Sequence, residues 1–487
     1  MLEINNQFTF LKSRVYATVL KSYFNGTLEN DIDKIPFWII GKDTDPSRCC
    51  IYKERAMIRY RILAFLGVNL EKDDDEIKPL SQFYREIQAS KMKPLPVLTT
   101  ISTACSACPK DQYIISDACR SCYARPCLAN CPTNAIYFKN GKANIDQDKC
   151  IRCGKCQEVC PFNSILHIPV PCESSCPVDA IKKNANGFVE IDYKKCISCG
   201  KCSRSCPFGA IVERSAIFPV LEMLKSEDRV TAIIAPAIDG QFPGNLGQIK
   251  AALKLLGFDD VVEVSEGAQI TSIKEAKELE ERINRGDKLM STSCCPAYVE
   301  LVEKHLPNLK AIKSDTLSPM AYTAQLVKEK NPNDKIVFIG PCLAKRVEAT
   351  KLKTIDGVIT FNELASMFVA KEIDVKELVE DDLGNTGCFE DCREFAISEG
   401  ATTCVLKRME DSSIVKGYKI NGLDRKVVKT LKVIDRIPSK GNFVEIMVCE
   451  GGCINGPGTI VKPKVALKLR NGNTQAIAKA MKRETFY

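Results

Sequence analysis

Sixteen cysteines between Cys105 and Cys206 constrain this chain more than any other feature. Two runs repeat the spacing C-x2-C-x2-C-x3-C-P: Cys150, Cys153, Cys156, Cys160-Pro161 and Cys196, Cys199, Cys202, Cys206-Pro207. A close variant, Cys119, Cys122, Cys127, Cys131-Pro132, precedes them. Cys105/Cys108 and Cys172/Cys176-Pro177 flank the segment that holds the 119–131 and 150–160 runs. Thiols at this spacing ligate [4Fe–4S] cubanes. The segment is therefore expected to fold around metal, and its sixteen thiols fill four cubanes with none left over.

The start, Met1-Leu-Glu-Ile-Asn-Asn, lacks the basic region and apolar stretch of a secretory signal, and no apolar run reaches the length of a membrane span. A cytoplasmic location is expected, where 26 cysteines read as metal ligands rather than a disulfide framework. The 487 residues suggest two to four domains, and 45% hydrophobic content is ample for packed cores. The formal charge of +8 counts the thiols as neutral. Each cubane with four thiolates carries about −2, so five clusters would bring roughly −10. With no basic stretch interleaved with aromatics, no nucleic-acid partner is expected.

The cysteine runs resemble those of bacterial ferredoxins, in which three thiols of a run bind one cubane and the fourth crosses to a second. That resemblance implies Cys119, Cys122, Cys127 with Cys160, and Cys150, Cys153, Cys156 with Cys131. The flanking pairs look like two halves of one motif split by the inner module. Rejoined, they give Cys105, Cys108, Cys172 with Cys206, and Cys196, Cys199, Cys202 with Cys176. One ferredoxin-like unit, about 115–168, would be inserted in another.

Ahead of this region, residues 1–95 read as mixed helical and loop sequence. Arg55–Gly67 has helical periodicity with a glycine stop, 71–76 is a charged turn, and Lys93-Pro-Leu-Pro96 marks a boundary. Cys49 and Cys50 read as structural thiols, with metal binding as the alternative.

After residue 216, strand-like runs such as Arg229–Pro236 and Asp260–Val264 alternate with helices such as 246–256, which argues for α/β structure with largely parallel sheets. Three apolar runs there deliver cysteines: Thr292-Ser-Cys-Cys-Pro-Ala-Tyr298, Pro341-Cys-Leu-Ala-Lys-Arg-Val-Glu348 and Glu445-Ile-Met-Val-Cys-Glu-Gly-Gly-Cys453. Ligands collect at the carboxyl ends of such strands.

These segments resemble, in order and spacing, the three signature motifs of the [FeFe]-hydrogenases. Arg48–Ala56 and Asp391–Gly400 resemble the family's less-studied group B branch. Matched residue by residue, Cys295, Cys342, Cys449 and Cys453 are the ligands of the active-site cubane, and Cys453 also bridges to the two-iron subsite. Cys294 matches the thiol that passes protons, a task suited to a pKa of about 8.5. Lys345 matches the lysine that binds a cyanide ligand, and Ala235, Pro236 and Met447 match residues lining the cofactor. Glu275, Glu278 and Arg282 share one face of a helix beginning near Thr271, and Ser314 falls where the family has a relay serine. The same residues also fit a solvated helix face with a capping box, Ser272-x-x-Glu275. Departures include Pro296-Ala-Tyr298 where Pro-Gly-Trp is common, Gly340 for methionine, Met320 for glutamine, Glu450 for proline, and no hydroxyl at Ala237. Cys388, Cys392 and Cys404 match no role and read as buried thiols; His167 and His305 read as structural.

The resemblance implies a multidomain α+β and α/β protein. It would have a small, mostly helical region at 1–95, nested ferredoxin-like domains at 96–215 and a two-lobed α/β catalytic domain at 216–487. It also implies reversible H₂ formation from protons and electrons at an H-cluster, a [4Fe–4S] cubane joined to a di-iron subsite with CO, cyanide and azadithiolate. Four accessory cubanes would carry electrons, the Cys196 cluster lying nearest the active site. Ferredoxin would be the redox partner, and maturation enzymes would install the subsite. The alternative on the same core is a slow or non-catalytic hydrogen or redox sensor. An iron–sulfur assembly scaffold ranks below both.

Overall fold

The computed structural model describes residues 7–71, 75–89, 96–382, 390–434 and 441–470. Cys388 and most of the proline-marked stretch 93–96 lie outside them.

The amino-terminal region is helical, as expected, with main helices Gln7–Phe24, Ile51–Phe65 and Leu80–Ala89. Its second helix begins at Ile51, four residues before the periodic stretch, with Cys50 as its N-cap. Phe218, from the helix Ile217–Lys225, meets Tyr23, Phe65 and Tyr84 edge to face at ring separations of 5.7–5.9 Å. Tyr23 donates to Glu222 on that same helix at 2.8 Å. Aromatic rings buried on both sides make this region share a core with the α/β part.

Two antiparallel ladders sit one inside the other in the cysteine-rich segment. The outer pairs Leu98–Thr100 with Ile211–Glu213, and the inner pairs Gln112–Ile115 with Ile165–Ile168. Each encloses cysteine runs and a short hairpin, Ile136–Lys139 with Lys142–Ile145 inside and Ile181–Lys183 with Val189–Ile191 outside.

The α/β part has two all-parallel sheets. One runs in the order Asp260–Glu263, Val230–Ile234, Lys335–Ile339, Gly357–Ile359; the other runs Met290–Ser291, Phe443–Met447, Gly417–Asn421. Val230–Ile234 and Phe443–Met447 are buried at every residue, as strands covered on both faces must be. The three cysteine segments follow Met290–Ser291, Lys335–Ile339 and Phe443–Met447 at their carboxyl ends.

The helix Ser265–Arg285 starts six residues before the expected Thr271. Ser272 is therefore internal and donates to the Gln269 carbonyl at 2.8 Å, which rules out the capping-box reading. Its neighbour Pro319–Lys330 packs so closely that a Cβ on Gly267 would lie 2.1 Å from the Pro319 carbonyl oxygen. Only glycine fits that crossing.

Candidate active site

Parallel strands from two sheets converge on one apolar cavity of about 890 Å³. Cys294, Cys295, Cys342, Cys449, Cys453, Lys345, Ala235, Pro236 and Met447 all line it, so nine residues singled out across more than two hundred positions share one enclosure. Cys295 is the N-cap of the helix Pro296–His305, which points the tight Cys294-Cys295 turn inward.

Burial pushes the four candidate cubane thiols upward, with mutual repulsion adding: Cys342 to about 11, Cys453 to about 12 and Cys449 well above its ordinary value. Four thiolates together in this apolar space would be unstable by themselves. A cationic iron–sulfur core offsets that repulsion, and a soft thiolate donor set suits it. The donor chemistry therefore fits the expected cluster.

Lys345 is 9% exposed and donates to Glu348 at 2.7 Å and to Ser318 at 3.0 Å. Burial alone would lower this ammonium; Glu348 outweighs burial and the net shift is upward. Neither Glu348 nor Ser318 was singled out from the sequence, although Glu348 sits at i+3 from Lys345 on a helix, the spacing of an ion pair.

The relay residues form a file leading away from the cavity. Glu275 is fully buried; its Oε1 accepts the Ser293 amide at 3.2 Å. Its Oε2 is buried without a hydrogen-bond partner. Burial, with the Glu278 charge adding, pushes this carboxyl up to about 8. Ser314 donates to Glu278 at 2.6 Å, Thr316 donates to it at 3.0 Å, and Arg282 pairs with it at 2.7 Å. Burial would raise Glu278, but these partners and the Asp315 amide hold it below the usual carboxylate range. Arg282 also reaches the exposed Asp315 at 3.7 Å. Burial drives the Cys294 thiol well above its ordinary value, and the nearby Glu275 adds to this.

The family departures are accommodated locally. A Cβ on Gly340 would lie 2.5 Å from the Phe338 ring, so Phe338 fills the space a methionine side chain would need. Glu450 does not face the main cavity. It lines a second, polar one with Lys201, Arg204, Cys199 and Cys449.

Cys199 lines both cavities, which brings the 196–206 run against the candidate active site. The helix Pro296–His305 ties the two together: Lys304 donates to the Cys196 carbonyl at 2.6 Å, and His305 bonds the Lys195 carbonyl at 2.7 Å. His305 is thus structural. His167 stacks on Tyr113 at 4.6 Å and bonds Asp111 at 2.6 Å.

All four C-x2-C turns share one backbone geometry. The residue before each second cysteine, Ala107, Ser121, Arg152 and Ser198, has φ of 45–58°. So do the third residues after the run-ending cysteines, Asn134, Asn163, Asp179 and Gly209, at 49–58°. Amides of Ala135, Ala180 and Ala210 donate to the sulfurs of Cys131, Cys176 and Cys206 at 3.2–3.4 Å. Turns that aim N–H groups at sulfur are what cluster thiolates require.

Comparison with known proteins agrees with this geometry. The family described as iron only hydrogenase large subunit, C-terminal domain, matches residues 228–457. A 4Fe-4S binding domain matches 143–166, and an LdpA Fe-S cluster-binding domain matches 166–217. Iron hydrogenase 1 of Clostridium pasteurianum is 28% identical over 398 residues, covering 69% of this chain and 68% of that protein. The cytosolic Fe-S cluster assembly factor NAR1 of Kluyveromyces lactis is 26% identical over 278 residues, covering 42% of this chain and 59% of that protein. A solved [FeFe]-hydrogenase HydA1 from Chlamydomonas reinhardtii overlaps 53% of this chain and 88% of its own, at 21% identity and a TM-score of 0.43. No helix among the described residues is long and apolar enough to cross a membrane. The chain is an [FeFe]-hydrogenase-like, iron–sulfur protein of multidomain α+β architecture, with ferredoxin-like segments preceding an iron-only hydrogenase C-terminal domain.

Proposed function

We propose that the protein catalyses 2H⁺ + 2e⁻ ⇌ H₂ in the cavity between its two parallel sheets. The observation that carries this reading is the convergence of Cys294, Lys345 and four buried cysteines from three distant segments on one apolar enclosure. A [4Fe–4S]-linked di-iron cofactor held there supplies the metal chemistry that joins protons and electrons. Cys295, Cys342, Cys449 and Cys453 bind it. The Lys345 ammonium, fixed by Glu348, supplies a positive charge at the wall. Ala235, Pro236, Met447 and Phe395 keep the enclosure apolar.

Cys294 holds the proton nearest the reacting centre. Glu275, Ser314, Glu278 and Arg282 pass protons between it and the surface at Asp315. The protonated Glu275 and ionised Glu278 meet across Ser314, so the file has a donor and an acceptor at neutral pH. Such a path supports catalysis over the assembly-factor role named for NAR1. Four accessory [4Fe–4S] clusters, two in the inner module at about 115–168, carry electrons from a ferredoxin. The cluster of Cys196, Cys199, Cys202 and Cys176 hands them on, supported by the place of Cys199 in the cavity wall.

The test is anaerobic infrared spectroscopy of protein from a maturation-competent host, with an H₂ assay using reduced ferredoxin. Fe–CO and Fe–CN bands with H₂ evolution are expected; their joint absence rejects the proposal.

A further inference from the structure

A second group of thiols lies behind the wall of the cavity and has no part in the scheme above. Cys392, in the 3-10 helix Glu390–Ala396, and Cys404, in the helix Gly400–Leu406, are both 0% exposed. Their sulfurs lie within 4.8 Å of each other and of an Asp391 carboxylate oxygen. The two sulfurs have different surroundings. The Cys404 thiol donates to the Asp391 carbonyl at 2.9 Å. The Arg408 guanidinium stands 3.4 Å from the Cys392 sulfur and also grips the Asp391 carboxylate through two bonds of 2.7 and 2.8 Å.

We propose that Cys392 and Cys404 form a redox-active pair that a small hydroperoxide converts to a disulfide. The Arg408 cation favours Cys392 as the attacking thiolate, while Cys404 keeps its proton as the resolving thiol. Cys392 attacks the peroxide, the O–O bond breaks, and a Cys392 sulfenic acid forms with release of hydroxide, which is protonated to water. The Cys404 sulfur then displaces the sulfenic oxygen, forming the S–S bond and a second water. The balance is two thiols and one H₂O₂ to one disulfide and two H₂O. A dithiol reverses it by exchange. The Arg408–Asp391 ion pair covers the thiols, which selects a small peroxide over a bulky disulfide as oxidant.

The same trio has the size of a cation site, but its charges oppose that use. Asp391 is already committed to Arg408, and the guanidinium sits beside one of the two sulfurs that a metal would need. A disulfide, in contrast, needs only that the sulfurs close from under 4.8 Å to about 2.05 Å. Closure draws the 3-10 helix toward Gly400–Leu406, and with it Phe395 and Ala396, which line the main cavity. Cys294 and Met447 belong to the same buried apolar cluster as the thiol pair. Oxidation of the pair is therefore felt at the cavity wall.

The test uses the full-length, iron-loaded protein, treated anaerobically with less than one equivalent of hydrogen peroxide, then alkylated, digested and analysed by mass spectrometry. The expected result is a peptide pair joined through Cys392 and Cys404, released by dithiothreitol, with cluster absorbance retained. Cys404→Ser should leave a Cys392 sulfenic acid that dimedone traps, and Cys388→Ser should leave the cross-link in place. Arg408→Gln should slow its formation by about tenfold. Full alkylation of both thiols after peroxide would overturn the proposal. So would linkage of either to Cys388, or stoichiometric zinc uptake lost in Cys392→Ser.

Discussion

Ser314 donates its hydroxyl to Glu278 at 2.6 Å and stands next to Glu275, so one serine separates two carboxyl groups of opposite protonation preference. Burial holds Glu275 protonated at neutral pH, whereas Arg282, Ser314 and Thr316 keep Glu278 ionised. Two nearby carboxyls whose environments separate their pKa values make a proton donor and its acceptor. Glu278→Gln preserves shape and removes the acceptor. H₂ turnover should fall about a hundredfold or more, the range of a lost acid–base group, with iron content unchanged. Near-normal turnover in an H₂ assay would remove Glu278 from the path.

The raised carboxyl of Glu275 also shapes stability. In the unfolded chain a glutamate titrates near 4.3, and in the fold Glu275 titrates near 8. Between those values the folded state binds the extra proton, so this group's contribution to stability falls as pH rises from about 4.3 to 8. Glu275→Gln removes that loss. The variant should gain thermal stability relative to the parent at pH 8.5 and lose most of that advantage at pH 5, measured by Tm on anaerobic protein. An equal Tm difference at both pH values would show that Glu275 is not the titrating group.

How much of this was legible in the sequence depends on how each interaction is encoded. Cluster ligation is encoded in local spacing, so the sixteen cysteines from Cys105 to Cys206 could be grouped by inspection, and their repeated left-handed turns follow the same grouping. The cavity thiols lie on three separate strands and were recognised only by resemblance. The strand order that joins them comes from tertiary packing. The start of the helix at Ser265 was missed because 265–270, with Gly267 and Gln269, carries little apolar periodicity. The Phe338–Gly340 exchange was illegible too, since a ring folding back two residues depends on the strand's environment. The pairing of Cys392 with Cys404 likewise depends on how two short helices pack, which no spacing rule reports.

Glu348 is the partner that makes a buried lysine tolerable at the cavity wall. Its contact with Lys345 is 2.7 Å, and the two side chains are 19% and 11% exposed. Glu348→Gln keeps one hydrogen bond but removes the compensating charge. The loss should be about 1.5–3 kcal/mol, the range for hydrogen bonds to charged groups, seen as a lowered denaturation midpoint. The cofactor's own charge should recover part of that loss, so protein without the di-iron subsite should suffer more than loaded protein. Equal losses in both forms would place the Lys345 charge outside the cofactor's reach.

The outermost of the proposed clusters rests on the short pair Cys105/Cys108, the motif with the least sequence around it. Its turn is nonetheless built like the other three: Ala107 has φ of 45°, beside 48° at Ser121, 58° at Arg152 and 55° at Ser198. An alanine adopts that left-handed conformation only when its surroundings hold it there, and a wrapped metal cluster is one such constraint. Lys183 donates to the Cys108 carbonyl, and Arg48 donates to the Ala104 carbonyl at 2.7 Å, so the loop is clamped from both sides. Burial raises Cys172, the third member of the proposed set, to about 12, and Cys206 and Cys108 add to that shift. The three thiols therefore act on one another across the outer ladder. Replacing both Cys105 and Cys108 with serine should remove about four irons per chain and one reduced-cluster signal from the paramagnetic resonance spectrum. The remaining cubanes should persist, because their ligands come from other runs. An unchanged iron count would mean that Cys105 and Cys108 are structural and that the accessory clusters number three.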